Sequence, residues 1–341
     1  MFFEKLMRKV FIWFSKNRAL NWLAVHCHIL HPVSRAFVAG ETIDEAVDVV
    51  RELNKDGCAA TIDILGESVV SSEKIDDVVS EYQALIRRIH DEKLRASISI
   101  KLSHIGLSLG KEFCKRRMSF IAETAARFCV PIEIDMEGSE DTENTIEVFR
   151  MLQKKYCTVS FRLALQAYLH RTYEQDIDML AQDGAAIRLV KGAYRESSSI
   201  AHQQMGIIRA VYCAIINRYA EKDVLKQGAN LAVCTHDPIL IEYAKQVLAH
   251  YKLPKDAFEF QMLYGMYVQE QHRLVEEGYN MRIYVPYGTR WFPYFMRRMA
   301  ERPANVWFVM RGVLRGLFDG EIRHRVFTTL KIMDKKAQRA S

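Results

Sequence analysis

Arg297 and Arg298 are adjacent in a stretch that reads as helical, and paired guanidinium groups suit a carboxylate or a phosphate. Lys101 can add a third positive charge, with Tyr284 and Leu263 as an aromatic and an aliphatic wall. A small substrate with a carboxylate and an apolar body fits such a set. Lys101, Asp135 and Arg188 each interrupt or end an apolar run. A charge left unpaired there is costly, so each must meet a partner or face a ligand. Other polar groups sit at equivalent places: Asp63 with Gly66-Glu67, Ser103, Met136-Glu137-Gly138, Gln166, Lys191-Gly192-Ala193-Tyr194, Thr235-His236-Asp237 and Gln261.

These positions recur because short β-prone runs recur, each followed by a helical stretch. The runs are 58–65, 96–102, 130–136, 159–165, 185–190, 229–234, 257–263 and 280–285, with starts 23 to 44 residues apart. Eight strand-plus-helix units in series predict an α/β fold, a (β/α)8 TIM-type barrel, with the polar set at its C-terminal mouth. No GxGxxG follows the first run, which removes the main support for a dinucleotide-binding open sheet. Thr42-Ile43-Asp44-Glu45 reads as a capping box ahead of a helix ending near Lys55-Asp56-Gly57. We expect a single domain, with N-terminal helices over 1–54, the barrel over 55–305 and a basic helical tail over 306–341.

The 341 residues are 49% hydrophobic and 26% charged, with 16 Gly and 7 Pro, which excludes collagen-like and low-complexity classes. A net charge of +6 is too small for a charge-driven nucleic-acid binder, so no nucleic-acid partner is expected. The seven cysteines are scattered and form no CxxC, which argues against a disulfide framework or a Cys-rich zinc site. His26-Cys27-His28 with His31 gathers metal-ligand types, but no matching second cluster accompanies it, and no metal is expected. No apolar run reaches the roughly 18 residues of a spanning helix, and no secretory signal is apparent. A cytoplasmic protein is the expectation. Phe3, Leu6, Met7, Val10, Phe11 and Phe14 lie at helical spacing beside Lys5, Arg8, Lys9 and Lys16. That amphipathic helix suits either docking on the domain or peripheral contact with the inner face of a membrane.

Taken in order, LGE (65–67), KLS (101–103), RLVKGAY (188–194), CTHD (234–237), FEFQMLYG (258–265), RIYVPYG (282–288) and FMRRMAERPAN (295–305) resemble the proline dehydrogenase family. The resemblance runs from about residue 36 to 305. It is to the monofunctional bacterial type, since the chain is too short to include the aldehyde dehydrogenase half of the bifunctional proline utilisation A enzymes. It implies an FAD enzyme that oxidises L-proline to Δ1-pyrroline-5-carboxylate, the first step of proline degradation to glutamate. In the family, hydride passes from proline C5 to flavin N5 and electrons go on to a membrane quinone.

The matching positions imply roles. Arg297, Arg298 and Lys101 would hold the carboxylate, Tyr284 and Leu263 would cover the ring, and Asp135 would pair with Lys101 or organise the site. Arg188 would approach flavin N5. Gln166 would meet the pyrimidine side of the ring system, and Asp135 and Met136 would also contact the cofactor. Val190, Lys191, Gly192, Ala193 and Tyr194 would line its length. Thr235, His236 and Gln261 would complete the FAD site, and Glu301 would bind near the ribose or phosphates. Glu67 and Arg297 would form an ion-pair gate. Many relatives carry Trp where Arg195 stands, so the resemblance does not supply a stacking contact there.

Three rival readings fit the residues less well. A hydroxyproline dehydrogenase is disfavoured by the bulk of Tyr284. A Schiff-base lyase would need Lys191 or Lys101 with a depressed pKa. A decayed, non-enzymatic barrel would not keep every polar position of the site filled.

Overall fold

The computed structural model describes residues 34–301. Two compact units divide the chain. One is Ala39–Gly288; residues 34–38 and 289–301 are the described parts of the other. The amphipathic segment of residues 1–20, the His26–His31 cluster and the tail after residue 301 lie outside the described residues.

The larger unit opens with α1 (Ile43–Lys55), whose N-terminus is the expected capping box. Thr42 Oγ1 accepts from the Glu45 N–H at 3.3 Å, and Glu45 Oε2 accepts from the Thr42 N–H at 3.1 Å. Then eight strands alternate with helices. They are β1 (Ala59–Ile64), β2 (Ala96–Ile100), β3 (Ile132–Ile134), β4 (Phe161–Gln166), β5 (Ala186–Val190), β6 (Asn230–Cys234), β7 (Phe258–Leu263) and β8 (Asn280–Tyr287). All pair in parallel and in chain order. β8 closes on β1 with Ala59 opposite Arg282 and Ile64 opposite Tyr287, giving the expected closed eight-stranded barrel. All eight expected runs are strands with ends within two residues of those expected; most are trimmed, while β4 runs one residue further and β8 two.

The strands are buried on both faces. One face packs on α2 (Ser72–Asp91), α3 (Lys111–Phe128), α4 (Thr142–Lys155), α5 (Ile177–Gln182), α6 (Met205–Ala220), α7 (Lys222–Lys226), α8 (Pro238–His250) and α9 (Val268–Glu276). α2 shows why these helices dock. Ile75, Val79, Tyr82, Leu85, Ile86 and Ile89 recur at helical spacing and are all buried. The other strand face turns into the barrel and is strongly polar. Thr61 and Asp63, Ser97 and Ser99, Glu133 and Asp135, Arg162 and Gln166, Glu259 and Gln261, and Arg282 and Tyr284 alternate along their strands with apolar residues. In the smaller unit α10 (Trp291–Glu301) carries Trp291 and Phe295, and Phe295 meets Phe37 at 6.0 Å between ring centres.

Candidate active site

Side chains that turn into the barrel interior bond to neighbouring strands and across the barrel, and these bonds define the site. Lys101, just past β2, lies 2.8 Å from Asp63 Oδ1 and 3.0 Å from Asp135 Oδ2. Its ammonium also reaches the Tyr284 hydroxyl at 3.3 Å, and that hydroxyl donates to Asp135 Oδ2 at 2.8 Å. Ser99 Oγ donates to Asp135 Oδ1 at 2.6 Å, and Arg188 Nη2 pairs with the same oxygen. The Arg188 guanidinium carbon lies 5.3 Å from the centre of the Tyr284 ring, a cation–π distance. Lys101, Asp135, Arg188 and Tyr284 are thus one cluster at the C-terminal end of the barrel, where (β/α)8 enzymes carry their chemistry.

Burial raises the Asp63 carboxyl to about 6 in spite of Lys101. Burial also pushes Asp135 up, but Lys101 and Arg188 outweigh it and hold that carboxyl below the usual range. Burial opposes the charge on Lys101, yet Asp63, Tyr284 and Asp135 lift its pKa well above the ordinary lysine value. The ammonium therefore stays charged. It is equipped to bind an anion and not to attack a carbonyl, which counts against Schiff-base chemistry at this lysine.

Below this cluster a second set fills the barrel. Glu133 Oε2 accepts from Arg188 Nη1 at 3.1 Å. Glu133 Oε1 accepts from Thr61 Oγ1 at 2.8 Å and Ser97 Oγ at 3.2 Å. Glu259 lies 2.5 Å from Arg162 and 2.9 Å from Arg282. Four cations (Lys101, Arg162, Arg188, Arg282) thus face four carboxylates (Asp63, Glu133, Asp135, Glu259), so the buried charge balances.

The remaining expected residues surround the mouth. Gln166 is buried and donates through Nε2 to the Glu137 carbonyl at 2.8 Å. Met136 and Thr235 are buried as well, and the Thr235 hydroxyl accepts from the Asp237 N–H at 3.1 Å. Lys191 pairs with Asp237 at 3.1 Å, which Arg209 also grips at 2.8 Å. The Val190 carbonyl accepts from the Ala167 N–H at 2.8 Å, and the Lys191 carbonyl from the Tyr168 N–H at 2.9 Å, fixing the start of the loop. Gly192 has φ +117°, and a Cβ there would lie 2.2 Å from the Tyr168 ring, so the backbone needs glycine. Ala193 and Tyr194 follow and are exposed. His236 Nε2 accepts from the Leu263 N–H at 3.1 Å, which places the proton of a neutral imidazole on Nδ1. Gln261 turns into the barrel and donates to Glu259 Oε1 at 2.9 Å and to Glu133 at 3.3 Å. Glu67 is exposed in the loop after β1. Arg297, Arg298 and Glu301 lie on α10, in the other compact unit.

The proline dehydrogenase family model matches residues 46–311. The chain belongs to the proline dehydrogenase family. It is 39% identical over 310 residues to proline dehydrogenase 1 of Bacillus subtilis (strain 168), covering 91% of this chain and 100% of that protein. It is 34% identical over 322 residues to the proline dehydrogenase of Deinococcus radiodurans, covering 92% of this chain and 99% of that one. The activity is accordingly that of a proline dehydrogenase, an oxidoreductase of proline catabolism. Among solved structures, proline utilization A of Bdellovibrio bacteriovorus inactivated by N-propargylglycine shares the fold, with a TM-score of 0.76 at 23% identity. That likeness covers 86% of this chain, which spans 36% of the other chain's length. Among the described residues no helix is long and apolar enough to cross a membrane.

Sequence reasoning noted Asp63, Glu137 and Asp237 at strand ends without giving them work. Glu137 turns out to bind Ser103 through both its N–H, at 2.9 Å, and its hydroxyl, at 2.6 Å. Ser99, Glu133, Arg162, Glu259 and Arg282 were not singled out at all. The one signal the sequence carries for them is the polar alternation along each strand, which puts them on one face without saying which way it turns.

Proposed function

We propose that the chain oxidises L-proline to Δ1-pyrroline-5-carboxylate with FAD as cofactor and a quinone as final electron acceptor. The observation that carries the reading is the Lys101 ammonium, charged and held at the barrel mouth between Asp63, Asp135 and Tyr284. FAD, when bound, supplies the acceptor at N5 for the hydride that leaves proline C5. The donor set suits that group. The Nε–H of Arg188 is buried without a hydrogen-bond partner among the described residues, a donor left over for an acceptor atom. The close backbone turn at Gly192 and the polar groups of Gln166, Lys191, Thr235 and His236 supply further contacts along the same side of the mouth.

The chain's own residues then have distinct tasks. Lys101 binds the proline carboxylate and fixes the ring's orientation, and the family resemblance implies carboxylate-binding roles for Arg297 and Arg298. Tyr284 and Leu263 cover the ring. Asp135 holds Lys101, Tyr284 and Arg188 in place at once. Arg188 offers a fixed positive charge where negative charge develops on the acceptor. The family resemblance further implies gating roles for Glu67 and for Arg297 and a cofactor-binding role for Glu301. The N-terminal helix brings the enzyme to the inner face of a membrane, where quinones reside. The test is the visible spectrum of the purified protein before and after anaerobic addition of L-proline. A flavin spectrum that bleaches supports the reading. A flavin spectrum that persists moves the substrate to an analogue. A protein that stays colourless and inactive with added FAD overturns it.

A further inference from the structure

Arg188 is gripped by two carboxylates at one strand end, Glu133 within β3 and Asp135 just past it. Asp135 takes Nη2, and Glu133, two residues earlier on β3, takes Nη1 at 3.1 Å. Asp135 belongs to the mouth. Glu133 faces the floor of the site: it is 2% exposed and has no place in the roles set out above. Its other contacts come from three strands, with Thr61 at 2.8 Å, Ser97 at 3.2 Å and Gln261 at 3.3 Å from Oε1. Arg162 and Arg282 approach the same oxygen at 3.5 Å and 3.7 Å. Glu133 therefore joins the two charged sets of the barrel. It balances Arg188 from below while hydroxyl and amide donors pin it from three sides.

We propose that Glu133 is a positioning residue that sets both where the Arg188 guanidinium sits and how much net positive charge it presents to the flavin. The inference rests on the FAD reading above. A neutral side chain at 133 leaves Arg188 balanced by Asp135 alone, so the field at the flavin becomes more positive and the reduced, anionic flavin is favoured. Glu259 is the built-in comparison: among the described residues it pairs with Arg162 and Arg282, whereas Arg188 pairs with Glu133 and Asp135.

The experiment is a redox titration of the bound flavin against a reference dye, with thermal unfolding of the same samples. Glu133→Gln is expected to shift the flavin equilibrium about tenfold toward the reduced form, which is about +30 mV for a two-electron couple. Glu133→Asp should recover part of that shift, since the charge returns. Glu259→Gln should lower the melting temperature and leave the potential in place. If Glu133→Gln folds poorly, Thr61→Val serves instead. It keeps the charge, removes a 2.8 Å hydrogen bond from it, and should shift the potential the opposite way. A potential unchanged in Glu133→Gln, or in Thr61→Val where that variant is used, with flavin bound, overturns the inference alone. A shift of equal size in Glu259→Gln also overturns it, because any buried carboxylate would then do the same. A wild-type chain that takes up no flavin removes the FAD reading and the inference with it.

Discussion

Replacing Lys101 by Met removes one cation from between two buried carboxylates, and the two should respond differently. Asp135 keeps Arg188, Ser99 and the Tyr284 hydroxyl. Asp63 loses the ammonium 2.8 Å away and remains 1% exposed. Its carboxyl already sits at about 6 with Lys101 present, and without it must rise further. An acid whose folded pKa exceeds its unfolded value, about 3.9, gives stability that is complete below the unfolded value and is lost as pH rises through the folded one. In the wild type that window closes near 6. In Lys101→Met it extends upward, at about 1.4 kcal/mol per pH unit. The deficit should therefore be small at pH 5 and reach about 3 kcal/mol at pH 8, two pH units above the wild-type window. For a domain of this size that is roughly 6–12 °C in melting temperature. Thermal unfolding at both pH values measures it. Adding Asp63→Asn to Lys101→Met should restore most of the pH 8 stability, while the loss in kcat/KM for proline, about 10- to 150-fold for a charge-assisted contact, persists. A deficit equal at pH 5 and pH 8, or one that Asp63→Asn does not relieve, would refute this assignment of the buried charge.

Asp63→Asn alone should flatten the pH dependence of KM for proline. In the wild type, ionisation of Asp63 near 6 puts a negative charge beside Lys101 and weakens carboxylate binding, so KM should rise through that window. Tyr284→Phe removes the hydroxyl that donates to Asp135 at 2.8 Å, and kcat/KM should fall by about 5- to 150-fold in steady-state assays. Gly192→Ala must place a Cβ at φ +117° against the Tyr168 ring. It should destabilise by about 1–3 kcal/mol or more and shed flavin on dialysis, read by absorbance of the dialysed protein. Deleting residues 1–20 should reduce co-sedimentation with anionic lipid vesicles; unchanged sedimentation would make that helix purely structural.

Much of the fold was legible because each strand is a short, largely apolar run bounded by turn residues, with a helical stretch behind it. The mouth was legible for the same reason: where a strand ends, its polar residues have somewhere to go. The barrel floor was not. Arg162, Glu259 and Arg282 lie near strand beginnings, where charge reads as ordinary solvent exposure. Their alternation with Gln166, Gln261 and Tyr284 puts them on one strand face, but alternation alone does not say which face turns inward. Only closure of β8 on β1 turns those faces toward one another.

Which acid meets which base depends on one further thing, the size of the residues between them. Arg188 on β5 reaches Glu133 on β3 and Asp135 just past its end, and β4 lies between. The β4 residue in register with Arg188 is Ala164, and the β6 residue in register on its other side is Ala232. Flanked by two methyl groups, the guanidinium has room to lie across β4 and bind Glu133 and Asp135 together. A larger side chain at 164 would fill that path and leave Arg188 buried without its two anions, at the cost such a stranded charge carries. The small residues beside Arg188 therefore do as much to build the site as the charged ones, and in a sequence they pass as ordinary core alanines.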